Sequence, residues 1–136
     1  MSSISTIALS GMNAAARRLE VSASNVANVM STGALPNADG AVPAGAPRAY
    51  APLELVQTAS AGGGTQTTVT TAAPSTTAVS DPQAPFANQN GLVAAPNVDL
   101  SQEVVGQIIA SYNFAANATV MKADDRMTKA LLNITA

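Results

Sequence analysis

The last forty or so residues constrain this chain most, because from Pro96 to Ile134 they read as one long helix. Asp99, with Gln102 three residues on and Glu103 behind it, has the form of a capping box. In that motif a side-chain oxygen satisfies amides that the first turn leaves without partners, and acid sits at the positive end of the helix dipole. This predicts a start near Leu100. Apolar or small residues then recur at Val105, Ile109, Tyr112, Ala116, Val120, Ala123, Met127, Leu131 and Ile134, in steps of four and three. A mean step of about 3.6 is the helical period. At about 100° per residue, Ala110, Phe114 and Met121 form a second, narrower stripe on roughly the opposite side. Such a helix requires neighbours on two faces.

The beginning of the chain supplies one of them. Ser2 or Ser3 is placed to cap a first helix, whose stripe runs Ile4, Ala8, Met12, Ala15, Leu19, Ala23, Val26 and Met30. Ser10, Asn13, Arg17, Ser24 and Asn28 gather on its other side, and Gly33 is a suitable C′ residue to end it. Residues 34–48 are a Pro/Gly/Ala connection without a period. From Ala49 to Asn97 only Glu54 and Asp81 are charged. Residues 53–58 have strand composition. Residues 66–72 follow the turn signal Gly62-Gly63-Gly64 and are separated from residues 76–80 by Pro74-Ser75, the pattern of a small β-hairpin. A disordered Thr/Ala/Gly-rich linker has the same composition. Pro82, Pro85, Gly91 and Pro96 then carry an extended segment back to the long helix. The expected fold is mainly α: long N- and C-terminal helices packed as a coiled-coil-like pair, with a small β-hairpin or irregular middle. The corresponding divisions are residues 1–33, 34–95 and 96–136.

A chain of 136 residues suits one domain, but Phe and Tyr number two each, Trp is absent and much of the apolar content is Ala. The core must be thin. With seams rich in Ala and helix interiors carrying Ser, Thr, Asn and Gly, a single hairpin gains little beyond its ordering entropy. The terminal helices are therefore expected to be loose in the monomer and fixed in an assembly. The net charge is −2 and the six basic residues are spread out, which excludes an electrostatic footprint for nucleic acid. Without Cys or His there is no thiol or imidazole chemistry and no common zinc ligand. Catalysis would rest on Asp, Glu, Lys, Ser or Tyr, and no convergent constellation of these is visible. No cofactor, metal or small-molecule substrate is expected. The N-terminus has no basic n-region, so no cleaved secretory signal is expected.

The apolar stripes read as core positions first and subunit contacts second. Asn25, Asn28 and Asn117 are either solvated or bonded to backbone and across helices. Asp124-Asp125 beside Arg126 reads as a solvated face, since adjacent positions point about 100° apart. Val104 to Met121 carries no charge, which raises the question of a membrane span. Gln107, Ser111, Asn113 and Asn117 argue against one, and an interior position among packed helices explains the missing charge better.

Leu19, Ala23, Asn25, Val26, Ala27, Asn28, Thr32 and Gly33, in RLEVSASNVANVMSTG, resemble the N-terminal signature of the bacterial flagellar axial proteins, the rod and hook family. PNVDLSQEVVGQIIASYNFAAN resembles the family's C-terminal motif, with Asn97, Val98, Asp99, Glu103, Ala110, Phe114, Ala116 and Asn117 in matching places; Phe114 stands where Tyr is usual. The lead-in DPQAPFANQNGLVAAPNV is most similar to that of the proximal rod members, whereas residues 34–61 depart from the pattern. The resemblance implies a passive structural subunit of the basal-body rod that assembles in the periplasm with itself and other rod subunits. It also implies passage through the flagellar type III export apparatus without cleavage, and contact with the membrane-ring protein. The expected assembly positions are these motif residues together with Ile109, Tyr112, Met121, Met127 and Leu131, which the helical period places on the seams. A secreted helical-hairpin adaptor or binding module is the alternative, and an enzyme the weakest reading.

Overall fold

The computed structural model describes residues 3–37 and 39–134. Its elements in chain order are α1 (Ser3–Ala27), β1 (Leu53–Ala59), β2 (Thr65–Thr71), β3 (Thr76–Ser80), β4 (Leu92–Pro96) and α2 (Leu100–Ile134). α2 begins where its cap places it. Asp99 Oδ1 accepts from the amides of Ser101 (2.8 Å) and Gln102 (3.2 Å), two of the donors that a helix start leaves over. The capping box itself is not closed. Gln102 Nε2 donates to Asp99 Oδ2 at 3.1 Å, so the Gln side chain braces the capping carboxylate.

The expectation of a mainly α chain with a small hairpin or irregular middle is corrected by the strands. Two helices are accompanied by two separate two-stranded antiparallel sheets, β1–β2 and β3–β4. The expected pairing of residues 66–72 with residues 76–80 does not form. β2 turns back on β1 instead, because Gly63 (φ +86°) and Gly64 (φ +84°) supply the left-handed conformations that a tight reversal needs. The Ser60 amide donates to Gly64 O at 3.1 Å across that turn. Between β2 and β3 stand Ala72, Ala73, Pro74 and Ser75, with no glycine and one missing amide donor. β3 pairs with β4 in the register Thr76↔Pro96 to Ser80↔Leu92.

α1 ends at Ala27, earlier than Gly33. Asn28 turns its side chain back on Ser24 O at 2.9 Å, and the Ser31 amide bonds Asn28 O. Gly33 is needed for another reason than helix termination. It exchanges both backbone hydrogen bonds with Ala94, and a Cβ on it would lie 2.2 Å from the Ala49 nitrogen and 2.4 Å from the Arg48 carbonyl carbon. Only a residue without a side chain fits there. Ser3 opens α1; Ser2, the other capping candidate, lies outside the described residues.

The chain forms two compact units. The first takes the residues up to Ser22, Leu55–Val69 and those from Val104 onward; the second takes Ala23–Glu54 and Thr70–Glu103. The first unit buries Ala8, Ala14, Ala15, Val21 and Ala110, and the second buries Ala34, Val93 and Ala94. Among the described residues Val93 is the largest side chain fully enclosed, so the core is as thin as the composition requires.

Candidate assembly interface

In the first unit α1 and α2 meet antiparallel along small and polar residues. Gln107 Nε2 donates to Ser22 Oγ at 3.1 Å at one end, and Ser5 Oγ donates to Asp124 Oδ2 at 2.5 Å at the other. Between them Gly11 faces Asn117 so closely that a Cβ on Gly11 would stand 2.6 Å from Asn117 Oδ1. Ala15, Leu19, Ala110 and Phe114 line a shallow apolar groove of about 320 Å³. The inward positions on α2, namely Gln107, Ala110, Phe114, Asn117, Met121 and Asp124, are spaced in threes and fours. The narrower stripe is thus the inner one. Ala, Gly and Ser let two helix backbones approach closely, and the hydrogen bonds satisfy the polar groups that this approach would otherwise strand.

The wider apolar stripe faces outward. Val105, Ile109, Val120, Met127 and Leu131 are exposed, and Tyr112 is 73 % exposed. Ala116 and Ala123 lie on the same exposed face. The charge-free run from Val104 to Met121 is therefore mostly solvent-facing surface, not an interior position among helices of one chain. No helix among the described residues is long and apolar enough to cross a membrane. Contiguous exposed apolar patches of this kind mark interaction sites more often than scattered apolar residues do.

The second unit is tied together by one amide. Asn25 is 3 % exposed. Its Oδ1 accepts from the Leu53 amide (2.9 Å) and from the Tyr50 hydroxyl (3.1 Å), while its Nδ2 donates to Leu53 O (2.9 Å) and to Glu103 Oε1 (2.6 Å). All four bonding positions of the carboxamide are used. It pairs with both backbone groups of Leu53 as a neighbouring strand would, and so closes that end of β1's outer edge. The Tyr50 hydroxyl also reaches Ser24 Oγ at 3.0 Å. A cleft of about 360 Å³ beside this node is bordered by Glu54, Asp99 and Glu103. The amides of Gln102 and then Ser101, with the Gln102 side chain, hold the Asp99 carboxyl below the ordinary carboxylate range.

The positions expected to carry assembly fall into three groups. Asn25, Glu103, Ala110, Asn117 and the half-exposed Phe114 lie at inner contacts of one unit or the other, and Met121 is half-buried. Val26 is half-buried, Asn28 bonds Ser24 O, Val98 borders the acidic cleft, and Asn97 holds the β3 approach through Pro74 O (3.0 Å) and Ser75 O (3.0 Å). Ala23, Ile109, Tyr112, Ala116, Met127 and Leu131 are exposed, and Leu19 sits at the mouth of the groove. Asp124 corrects the sequence reading. It is 7 % exposed and bonded to Ser5, while its neighbour Asp125 is the solvated member, paired with Lys129 at 2.7 Å. Ser5, Ser22, Gln107 and Tyr50 went unmarked by the stripe argument. The one signal for them is that Ser22, Gln107 and Asp124 interrupt otherwise apolar or small spacing.

Comparison with known proteins matches residues 6–34 to the family described as flagella basal body rod protein. Residues 89–134 match the flagellar basal body rod FlgEFG protein C-terminal family. The chain belongs to the flagellar axial family. It is 42 % identical over 45 residues to the flagellar hook protein FlgE of Escherichia coli K12, and equally to those of Salmonella typhimurium LT2 and Salmonella typhi. The match takes in 33 % of this chain and spans 11 % of the length of those relatives. Asn25 lies in one matched axial region and Glu103 in the other, and they hydrogen-bond directly. The two matched regions, far apart in sequence, meet in this contact and in the Gln107–Ser22 hydrogen bond.

Proposed function

We propose that this flagellar axial protein is a structural subunit of the basal-body rod, with its exposed helical face covered by neighbouring axial subunits. One observation carries the reading. The α1–α2 pair of the first unit is already closed through small and polar residues, yet α2 still presents Val105, Ile109, Tyr112, Val120 and Met127 to solvent. That face remains available for contacts outside the chain. Repeated head to tail, a heterologous contact of this kind propagates as a helical filament. Its partners are other rod subunits and further copies of itself; the assembly positions are the exposed stripe together with the Asn25 and Glu103 node that fixes the second unit.

Rod is favoured over hook, and the proximal rod protein FlgC is the nearest description, on the lead-in from Asp81 to Val98. We place its site of work in the periplasm, reached through the flagellar type III export apparatus without cleavage, with the membrane-ring protein as a further contact. The family is one of structural proteins, and the reading assigns no catalysis. A secreted helical-hairpin adaptor would use the same exposed face on a single partner, and would form a stable monomer or small closed oligomer.

Electron microscopy of basal bodies from a strain lacking the gene, complemented with a tagged copy, separates the two. The tag belongs at Gly40 or Gly45, where an added Cβ would meet nothing within 4 Å, because Gly63 and Gly64 are packed against Ile7 and Ser10. Loss of rods in the deletion strain, with tag density on the rod axis after complementation, is the expected result. Normal flagella in the deletion strain would overturn the rod reading.

A further inference from the structure

The two sheets leave two strand edges open, and these edges belong to the same two strands that the sequence pattern pairs with each other. The hydrogen bonds from Ser60 N to Gly64 O and from Ala72 N to Pro52 O bracket the β1–β2 ladder in a single register. In an antiparallel ladder the bonded pairs recur every second residue, so Thr67, Val69 and Thr71 turn their amides and carbonyls away from β1. Similarly, the bonds from Asp81 N to Gly91 O and from Asn97 N to Ser75 O bracket β3–β4. They leave Thr76, Ala78 and Ser80 turned away from β4. Among the described residues no third strand joins either sheet.

Each opposite edge is engaged at one point by another part of the chain. On β1, Asn25 occupies both backbone groups of Leu53; on β4, Gly33 occupies both backbone groups of Ala94. At the β2 tip the Thr65 amide is taken by Ser10 Oγ at 3.1 Å, so the open stretch begins at Thr67. Natural sheets protect free edges with charge, proline, bulges or a covering element. β2 (TQTTVTT) and β3 (TTAVS) contain neither charge nor proline, and they are rich in β-branched residues that favour pairing. Within one chain the two strands do not pair with each other.

We propose that the open β2 edge accepts the open β3 edge of a second copy of this chain, joining two sheets across the subunit contact. β2 and β3 are different surfaces, so the contact is heterologous and repeats without closing, as a filament requires. Backbone hydrogen bonds supply the attraction, as in other strand additions. This inference rests on the assembly reading above and names the partner and the contact.

The absence of Cys from the chain allows a clean cross-linking test. Two differently tagged copies are expressed together in the deletion strain, one carrying Thr67→Cys and the other Thr76→Cys, Ala78→Cys or Ser80→Cys in turn. Isolated basal bodies are then oxidised. A mixed-tag disulfide at one of the three registers is expected, with none from Thr67→Cys alone. Thr67→Pro and Ala78→Pro remove outward amides only, which edge strands tolerate, and each should abolish incorporation while secretion continues. Absence of the mixed species at every register, predominance of Thr67–Thr67 dimers, or normal flagella with either proline variant would overturn the inference while leaving the rod reading intact. Absence of the untagged-site wild-type chain from basal bodies would overturn both.

Discussion

Replacing Asn25 by Ala removes four hydrogen bonds from the second unit: three to neutral groups and one to the Glu103 carboxylate. At about 1 kcal/mol for each neutral bond and about 2 kcal/mol for the charge-assisted one, the ceiling is roughly 5 kcal/mol. Tyr50, Leu53 and Glu103 are only partly buried, so water replaces part of what they lose. The expected destabilisation is about 2–4 kcal/mol, a large share of the total for a small domain. Urea unfolding followed by far-UV circular dichroism measures it, with Asn28→Ala as the reference because that side chain bonds Ser24 O and receives only a long contact from Ser31. Asn25→Asp sharpens the argument. A carboxylate still accepts from Tyr50 and Leu53 but faces Leu53 O and Glu103 with no proton to offer, so this variant should be least stable at neutral pH and recover as acid protonates it. An Asn25→Ala protein within about 0.5 kcal/mol of wild type, the range of ordinary surface changes, would refute the account of Asn25 as the node.

Four further outcomes follow from the same geometry. Gly33→Ala forces a methyl onto the Ala49 and Arg48 backbone and should cost at least about 1–3 kcal/mol, the overpacking range, read as a fall in the urea midpoint. Asp99 has its folded pKa lowered by the Gln102 and Ser101 amides, so its cap is complete above the ordinary carboxylate range and lost as pH falls through the lower folded value; Asp99→Asn should flatten that acid limb in a pH titration of helicity. Phe114 is 42 % exposed at the α1–α2 groove, so Phe114→Ala should cost about 2 kcal/mol, below the range for a fully enclosed ring, and reduce rod incorporation without reducing expression. Tyr112→Ser and Ile109→Ser alter outward residues, so monomer stability should stay within about 0.5 kcal/mol while motility in a complementation assay is lost.

The apolar stripes were legible because helical period is a local property of sequence, but which stripe turned inward was not. α1 offers Ala8, Gly11, Ala15 and Ser22 at its contact with α2, and these small residues bring the backbones close enough for Asp124 and Gln107 to reach Ser5 and Ser22. Shape and hydrogen bonding across that gap outweighed the larger apolar area of the Val105 to Leu131 stripe, and neither quantity can be read from one helix alone. The strands failed differently. Thr and Val runs signal a strand without naming its partner, and the choice of β1 for β2 was made by the conformations available at Gly63 and Gly64.

Sequence alone settled what depends on near neighbours: the Asp99 start of α2, the glycine reversal before β2, the exclusion of thiol and imidazole chemistry, and the two axial signatures at Asn25 and Glu103. Tertiary structure decided what depends on residues far apart in the chain. It set Gly33 against Arg48 and Ala49, joined Asn25 to Glu103, buried Asp124 beside Ser5, and left one apolar helical face and two strand edges without cover. The physical reason is that local conformation is governed by torsions and bonds within a few residues, whereas burial and polar satisfaction are governed by whichever distant surfaces fit closely enough to exclude water.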